Sequence, residues 1–306
     1  MSSTSRRSLL SSSVAIGAAL AMGSRAAQAA PGIPAGIDVP PDTYKATNLR
    51  VRQSVMGWCF NPIKAPDLAR HCKAMGIVAI EGIGKEHYPA VKDLGLDISL
   101  VGSHGFAKGP VSPANHAFCE KSLRDAIDLA VAVGSKRVIT FTGMRDPAIK
   151  DDEQAAKNCV DLWKKVIGYA EEKKILLCLE HLNSRDNSHP MKGHPGYFGD
   201  HVDVCVDLIN RVGSPNMKLL FDIYHVQIMD GDVTRRLRQH KDVIGHIHTA
   251  GVPGRAELTD EQEVNYPAVM RAIVDLKFDG YIAQEFIPTW PDKIAALRHA
   301  VRLCDV

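Results

Sequence analysis

Short apolar runs alternate with longer segments of helical periodicity along most of the chain. Eight of these runs have the length and the branched apolar side chains that are typical of buried strands. The predicted strands are Arg52–Trp58, Ile77–Glu81, Asp97–Gly102, Arg137–Thr142, Ile175–His181, Met217–Ile223, Val243–Thr249 and Gly280–Phe286. The predicted helices are Pro66–Met75, His87–Leu94, Pro113–Val133, Asp152–Lys173, Asp200–Val212, Val233–His240, Tyr266–Leu276 and Pro291–Leu303. This alternation indicates parallel strands joined by helices.

Eight consecutive strand–helix units predict an α/β fold, a (β/α)8 TIM barrel that forms a single domain of about 250 residues. The alternative is an open, doubly wound sheet. Such sheets often carry a GxGxxG or GxxxxGK[ST] phosphate loop, and the sequence contains neither motif. The pattern therefore favours the closed barrel.

Polar side chains stand at or near the ends of the last four predicted strands. They are Glu180, Asp222, His248 and Glu285. The carboxyl ends of parallel strands share one face of a barrel, so these side chains are expected to converge. A salt bridge to a loop cation would explain any one of them, but four successive placements favour a shared site. Three carboxylates and one imidazole suit one divalent cation, with Mn²⁺ preferred and Mg²⁺ or Co²⁺ also fitting.

The first 29 residues have a different composition from the rest. A basic start precedes an apolar stretch at 14–22 and an Ala-Gln-Ala cleavage pattern at 27–29. The run Ser-Arg-Arg-Ser-Leu-Leu at 5–10 resembles a twin-arginine export signal. A disordered basic tail and a membrane anchor are the alternatives, and the apolar stretch is short for a span. We predict a signal peptide at 1–29, a Pro- and Gly-rich linker at 30–49, a barrel at 50–306, and an exported, periplasmic protein without a membrane segment after cleavage.

The net charge bears on nucleic-acid binding, and the cysteine spacing bears on how the cysteines are used. The formal charge is +2, and removal of residues 1–29, which hold three arginines and no acid, would bring it to −1. Without a clustered basic face there is no electrostatic case for nucleic acid. The seven cysteines have no CxxC or other ligand spacing, and several lie in apolar periodic segments. The cysteines in those segments are expected to pack as small hydrophobic residues.

The motifs FDIYHVQIMDGD at 221–232 and HTAGVPGR at 248–255 resemble the xylose isomerase-like TIM barrel superfamily. The likeness covers roughly residues 50–306 and is closest to the hydroxypyruvate isomerase-like branch of sugar phosphate isomerases and epimerases. It implies that Glu180, Asp222, His248 and Glu285 bind the metal and that Glu180 and Glu285 are catalytic acid/bases. It also implies substrate-binding roles for the side chains His225, Arg255 and Asp186. In hydroxypyruvate isomerases Gln stands where this chain has His248, which makes the site more similar to that of epimerases.

Three further polar or aromatic positions follow other predicted strands. His104, after the third strand, is a candidate substrate-binding residue, with a surface loop histidine as the alternative. Glu81 ends the second strand and would orient a ligand or form a structural ion pair. Trp58, at the end of the first strand, would line the pocket or pack in the core.

These observations favour a metal-dependent isomerase or epimerase that moves a proton through an enediolate on a small sugar or keto acid. The alternatives are a metal-dependent lyase acting on keto-glycosides, an endonuclease IV-type hydrolase and a solute-binding protein. The nuclease would need more histidine ligands and a basic surface, and the solute-binding protein would not need a catalytic pair. Relatives often form oligomers, so a homo-oligomer is expected.

Overall fold

A computed structural model describes residues 33–34 and 36–306, and there eight parallel strands alternate with helices. The strands are β1 Arg52–Val55, β2 Ala79–Ile80, β3 Asp97–Ile98, β4 Arg137–Phe141, β5 Leu176–Glu180, β6 Met217–Asp222, β7 Ile244–Thr249 and β8 Tyr281–Gln284. The α-helices are α1 Ala65–Met75, α2 Tyr88–Asp93, α3 His116–Val133, α4 Asp152–Lys173, α5 Val202–Val212, α6 Ile223–Met229, α7 Val233–Gln239, α8 Tyr266–Asp275 and α9 Lys293–Cys304.

The strands close into a barrel. Six of them are hydrogen-bonded in the order β1-β8-β7-β6-β5-β4, and β2 pairs with β3. Parallel bridges between Met56 and Glu81 and between Val101 and Val138 join the two groups. Every strand therefore has a neighbour on both sides, and the prediction of an α/β TIM barrel is confirmed.

The main difference from the prediction is an additional short helix after β6. The strand was predicted to continue to Ile223, but β6 ends at Asp222 and α6 begins at the next residue. Asp222 Oδ1 accepts a hydrogen bond of 2.8 Å from the backbone N–H of Tyr224, which caps the new helix. The apolar residues of this helix follow those of the strand without a break, so periodicity alone could not separate the two. The cap fixes the orientation of the Asp222 carboxylate.

The core lies between the strands and the surrounding helices. A representative contact joins α4 to β4, where the buried Trp163 indole donates a 3.0 Å hydrogen bond to Thr140 Oγ1. All seven cysteines are free and buried, including those for which apolar surroundings in the sequence predict burial. Strands β2 and β3 are two residues long, shorter than predicted, and the chain continues from them into loops at the mouth of the barrel.

The segment before β1 packs on the barrel through turns and irregular backbone. Ala46 is buried, and Arg298 in α9 donates to the backbone carbonyl of Pro40 and contacts Asp42 at 2.7 Å. Part of the predicted linker is thus attached to the domain. The predicted signal peptide at 1–29 lies outside the described residues. Within the part of the chain that the structure describes, no helix is long and apolar enough to cross a membrane.

Asp305 fastens the start of the barrel to its end. Its carboxylate accepts backbone N–H groups from Thr47 at 2.7 Å, Asn48 at 3.1 Å and Leu49 at 3.0 Å. We expect Asp305→Ala to lower the free energy of unfolding by about 1–2 kcal/mol. This value is smaller than for buried hydrogen bonds, because these bonds are exposed to solvent. Urea denaturation measures the change. Asp305→Asn, which keeps one acceptor oxygen, should lose less stability. An unchanged free energy of unfolding in Asp305→Ala would show that these hydrogen bonds do not stabilise the barrel.

Candidate active site

Four polar side chains meet inside the mouth of the barrel. Glu180 and Asp222 end β5 and β6, His248 is the penultimate residue of β7, and Glu285 follows β8 directly. Each offers one nitrogen or oxygen, and these four atoms all lie within 4.8 Å of one another. All four residues are buried. The convergence expected from the strand ends is present in the structure.

Two cations lie among the three carboxylates. His248 Nδ1 is 2.6 Å from Glu285 Oε2 and 3.2 Å from Glu180 Oε1. Arg255 Nη2 is 2.7 Å from Glu285 Oε2 and 3.2 Å from Asp222 Oδ2. Buried carboxylates are costly unless opposite charges and hydrogen bonds compensate them, and these contacts supply that compensation.

The ionisable groups of this cluster have pKa values that are shifted in different directions. Burial, together with the neighbouring Glu285, raises the pKa of Glu180 to about 7, and burial also raises the pKa of Asp222 to about 6. Burial alone would raise the pKa of Glu285, but Arg255 and His248 outweigh it and lower this pKa. Burial also opposes the charge on His248, yet the surrounding carboxylates raise its pKa well above the usual range. Two neighbouring glutamates are therefore shifted in opposite directions.

The donor set fits a divalent cation. Carboxylate oxygens and one imidazole are ligands that suit Mn²⁺ and similar ions. Glu285 Oε2 is buried and accepts no hydrogen bond of good geometry, although His248 and Arg255 lie close to it. A buried acceptor with a free lone pair is what a metal ligand requires.

His225 adds a donor next to the cluster. The backbone N–H of Asn183 donates a 3.0 Å hydrogen bond to His225 Nδ1, so the ring proton must sit on Nε2. His225 Nε2 is 3.5 Å from Asp222 Oδ2, and it is buried without a hydrogen-bond partner. Burial, together with the nearby Arg255, lowers the pKa of His225 well below the usual range. The ring is thus a neutral N–H donor facing the site.

Arg255 is held rigidly between loops and aromatic rings. Its Nη1 donates a 2.6 Å hydrogen bond to the carbonyl of Met191 in the loop after β5. The guanidinium carbon is 5.8 Å from the centre of the Trp58 ring and 5.4 Å from that of Tyr224. Arg255 Nε is buried without a partner, so one N–H remains for a ligand. Trp58 thereby lies in the wall of the site.

The other two predicted substrate-binding residues lie outside the cluster, and their roles stay predictions. Asp186 is half-buried and accepts a 3.1 Å hydrogen bond from the Tyr224 hydroxyl. His104 Nδ1 is 2.8 Å from the carbonyl of Gly105, and its Nε2 is 3.0 Å from Thr140 Oγ1. Burial lowers the pKa of His104 to about 4. Both ring nitrogens of His104 are engaged in bonds that hold its own loop and β4.

Two residues near the site, Glu81 and Asn183, make contacts that the sequence did not predict. Glu81 contacts His248 Nε2 at 2.8 Å, and with His246 and His248 it forms a second buried group of ligand type. The position of Glu81 at the end of an apolar run indicated either a functional residue or a structural ion pair, without separating the two. Asn183 contacts His225 with its backbone and also holds the loop after β5, donating a 2.7 Å hydrogen bond to the carbonyl of Lys192. Nothing in the local sequence distinguishes this asparagine from an ordinary loop residue.

Two curated proteins are similar to this chain in sequence. A putative hydroxypyruvate isomerase from Homo sapiens is 29% identical over 182 residues, which cover 58% of this chain and 62% of that protein. A 2-oxo-tetronate isomerase from Cupriavidus necator is 31% identical over 176 residues, which cover 58% of this chain and 64% of that protein. The chain thus spans less than two thirds of the length of these relatives.

The solved structures are more distant in sequence. An AP endonuclease of family 2 from Brucella melitensis superposes with a TM-score of 0.67 at 22% identity, covering 78% of this chain and 93% of that one. At this identity the likeness shows the fold alone. The family model of the xylose isomerase-like TIM barrel matches residues 84–304. This chain belongs to the xylose isomerase-like TIM barrel family.

Proposed function

We propose that this chain is a divalent-metal-dependent isomerase that moves a proton between neighbouring carbons of a small keto acid or sugar. The single observation that carries the proposal is the convergence of four buried side chains whose ligand atoms all lie within 4.8 Å of one another, namely Glu180, Asp222, His248 and Glu285. Two of these side chains, Glu180 and Glu285, are carboxylates that can act as an acid and a base in proton transfer. The names of the relatives, hydroxypyruvate isomerase and 2-oxo-tetronate isomerase, support the reaction class.

The two glutamates have complementary roles in this proposal. Glu285, ionised beside Arg255, removes the proton from the carbon next to the substrate carbonyl. Glu180, the other glutamate of the pair, delivers a proton to the intermediate. Delivery at the adjacent carbon gives an aldose–ketose isomerisation, whereas delivery to the opposite face of the same carbon gives epimerisation. The relatives' names favour the first outcome.

The remaining residues bind the substrate and hold the cation. The free donors His225 Nε2 and Arg255 Nε are placed to bind the oxygens of a carbonyl, hydroxyl or carboxylate group. Glu180, Asp222, His248 and Glu285 would hold one Mn²⁺, or in its place Mg²⁺ or Co²⁺. When bound, this cation supplies Lewis-acid stabilisation of the negative charge that develops on the carbonyl oxygen.

The proposal is tested by hydrogen exchange with solvent. The Mn²⁺-loaded protein is incubated in D2O with hydroxypyruvate, a 2-oxo-tetronate and a panel of ketoses. We expect deuterium at the carbon next to the carbonyl, together with a rearranged product, for at least one of them. A keto-glycoside in the same panel tests the lyase, because cleavage would release the aglycone. No exchange with any of these substrates would contradict the proposal.

We also propose export to the periplasm, which rests on the signal pattern at 1–29. Cell fractionation tests it, because a protein that stays entirely in the cytoplasmic fraction would not be exported.

A further inference from the structure

Glu81 lies on the other side of the His248 ring from the predicted metal ligands. His248 Nδ1 faces Glu180 and Glu285, whereas Nε2 is 2.8 Å from Glu81 Oε1. An ionised carboxylate only accepts hydrogen bonds, so the proton at this contact belongs to Nε2. The bond therefore fixes the orientation of the ring and keeps a proton on Nε2.

The carboxylate of Glu81 is itself held from several sides. Its Oε2 accepts a hydrogen bond from the Ser99 hydroxyl, which in turn is 2.6 Å from the Ser54 hydroxyl. His246 Nε2 lies 2.9 Å from the same oxygen. Backbone bonds of Glu81 to Val55 and Gly57 fix the end of β2 against β1. Glu81 is fully buried and cannot turn to solvent.

We propose that Glu81 is a positioning residue that holds His248 Nε2–H, so that Nδ1 faces the three carboxylates and is ready to bind the cation. This inference rests on the proposed function and adds a residue that contacts neither substrate nor cation. A carboxylate that accepts the second N–H of a ligating imidazole commonly sets its tautomer and raises its basicity.

The other interpretation of this group is a second cation site. Glu81, His246 and His248 offer ligand atoms within 4.8 Å of one another. However, His248 would then have to bind a cation through each ring nitrogen at once, which requires the loss of both ring protons. The positioning role requires the loss of only the Nδ1 proton when the cation binds, and it is the interpretation that the hydrogen bond from Nε2 to Glu81 supports.

The test is the affinity for Mn²⁺ of the full chain, measured by titration with electron paramagnetic resonance of the free ion. Glu81→Ala removes the acceptor, and we expect binding that is weaker by about 10–100-fold. Glu81→Gln keeps an acceptor oxygen and fills the same volume, and we expect a smaller loss of about tenfold at most. Both variants should still bind one ion per chain. Circular dichroism checks that they are folded.

Asp230→Asn is the matched control. Asp230 Oδ1 is 2.7 Å from His201 Nδ1, so it is also a buried carboxylate paired with an imidazole, but this histidine is not a predicted metal ligand. We expect its Mn²⁺ affinity to equal that of the unaltered protein. Unchanged affinity in a folded Glu81→Ala variant would overturn the inference alone. If that variant does not fold, unchanged affinity in Glu81→Gln would do the same.

Two other outcomes are informative. Two Mn²⁺ ions per chain in the unaltered protein, with one lost in Glu81→Ala, would show that Glu81 is a ligand and would overturn the positioning role. Failure of the unaltered protein to bind Mn²⁺, Mg²⁺ or Co²⁺ would remove the proposed function together with this inference. If the unaltered protein binds Mn²⁺ and the Glu81 variants bind it equally well, only the inference about Glu81 is removed.

Discussion

Replacement of Glu285 by Gln is expected to abolish exchange of the substrate's carbon-bound hydrogen with solvent while the barrel stays folded. The amide has nearly the same shape and keeps an oxygen that can bind a cation, but it cannot accept the proton. The loss of a positioned general base typically costs about 10²–10⁴-fold in rate. Arg255, which pairs with Glu285 at 2.7 Å, would retain its contacts to Asp222 and Met191. Deuterium incorporation in D2O, followed by nuclear magnetic resonance, measures the effect.

Glu180→Gln is the comparison that separates the two glutamates. It removes the proposed proton donor but leaves Glu285 ionised, so exchange at the first carbon should continue while formation of rearranged product falls. Bound Mn²⁺ is determined in both variants, because a lost ion would give the same inactivity. Exchange at the unaltered rate in metal-loaded Glu285→Gln would exclude Glu285 as the base.

Asp222→Asn is expected to weaken Mn²⁺ binding by more than about 100-fold, and activity should fall with occupancy. Removal of a residue that only hydrogen-bonds to a metal ligand typically lowers metal affinity by about 10–100-fold. Asp222 is predicted to be a ligand itself, so a larger loss is expected. The amide oxygen can still accept the N–H of Tyr224 that begins α6, so the helix cap is preserved. Loss of the negative charge is then the main change. Titration with Mn²⁺, with and without prior chelation of bound metal, measures it.

Asp151→Asn provides a matched control for this variant. Asp151 also begins a helix, because its Oδ1 accepts a 3.0 Å hydrogen bond from the N–H of Glu153 at the start of α4. It is not one of the clustered residues. We expect unchanged Mn²⁺ affinity in Asp151→Asn. Equal affinity in Asp222→Asn and the unaltered protein would show that Asp222 is not a metal ligand.

The sequence was informative where one physical rule relates a residue's position in the chain to its position in the fold. Alternating strands and helices dictate a parallel barrel, and a parallel barrel brings its strand ends to one face. Glu180, Asp222, His248 and Glu285 could therefore be placed together from their positions alone. Several cysteines could likewise be assigned to the core from the apolar periodicity around them.

The sequence was less informative where contacts depend on side-chain direction or loop conformation. The hydrogen bond from His248 to Glu81 spans 167 positions and joins β7 to the end of β2, which no local pattern reveals. The tautomer of His225 depends on a backbone N–H of Asn183 in a loop. His104 was placed after the correct strand, but loop carbonyls and Thr140 engage both of its ring nitrogens.

A crystal structure of the Mn²⁺-loaded protein, with the ion located by its anomalous scattering, tests the central claim most directly. We predict one strong peak per chain, within bonding distance of a carboxylate oxygen from each of Glu180, Asp222 and Glu285 and of His248 Nδ1. Glu81 should remain hydrogen-bonded to His248 Nε2. A peak located elsewhere, or none in protein shown to bind Mn²⁺ in solution, would contradict the account.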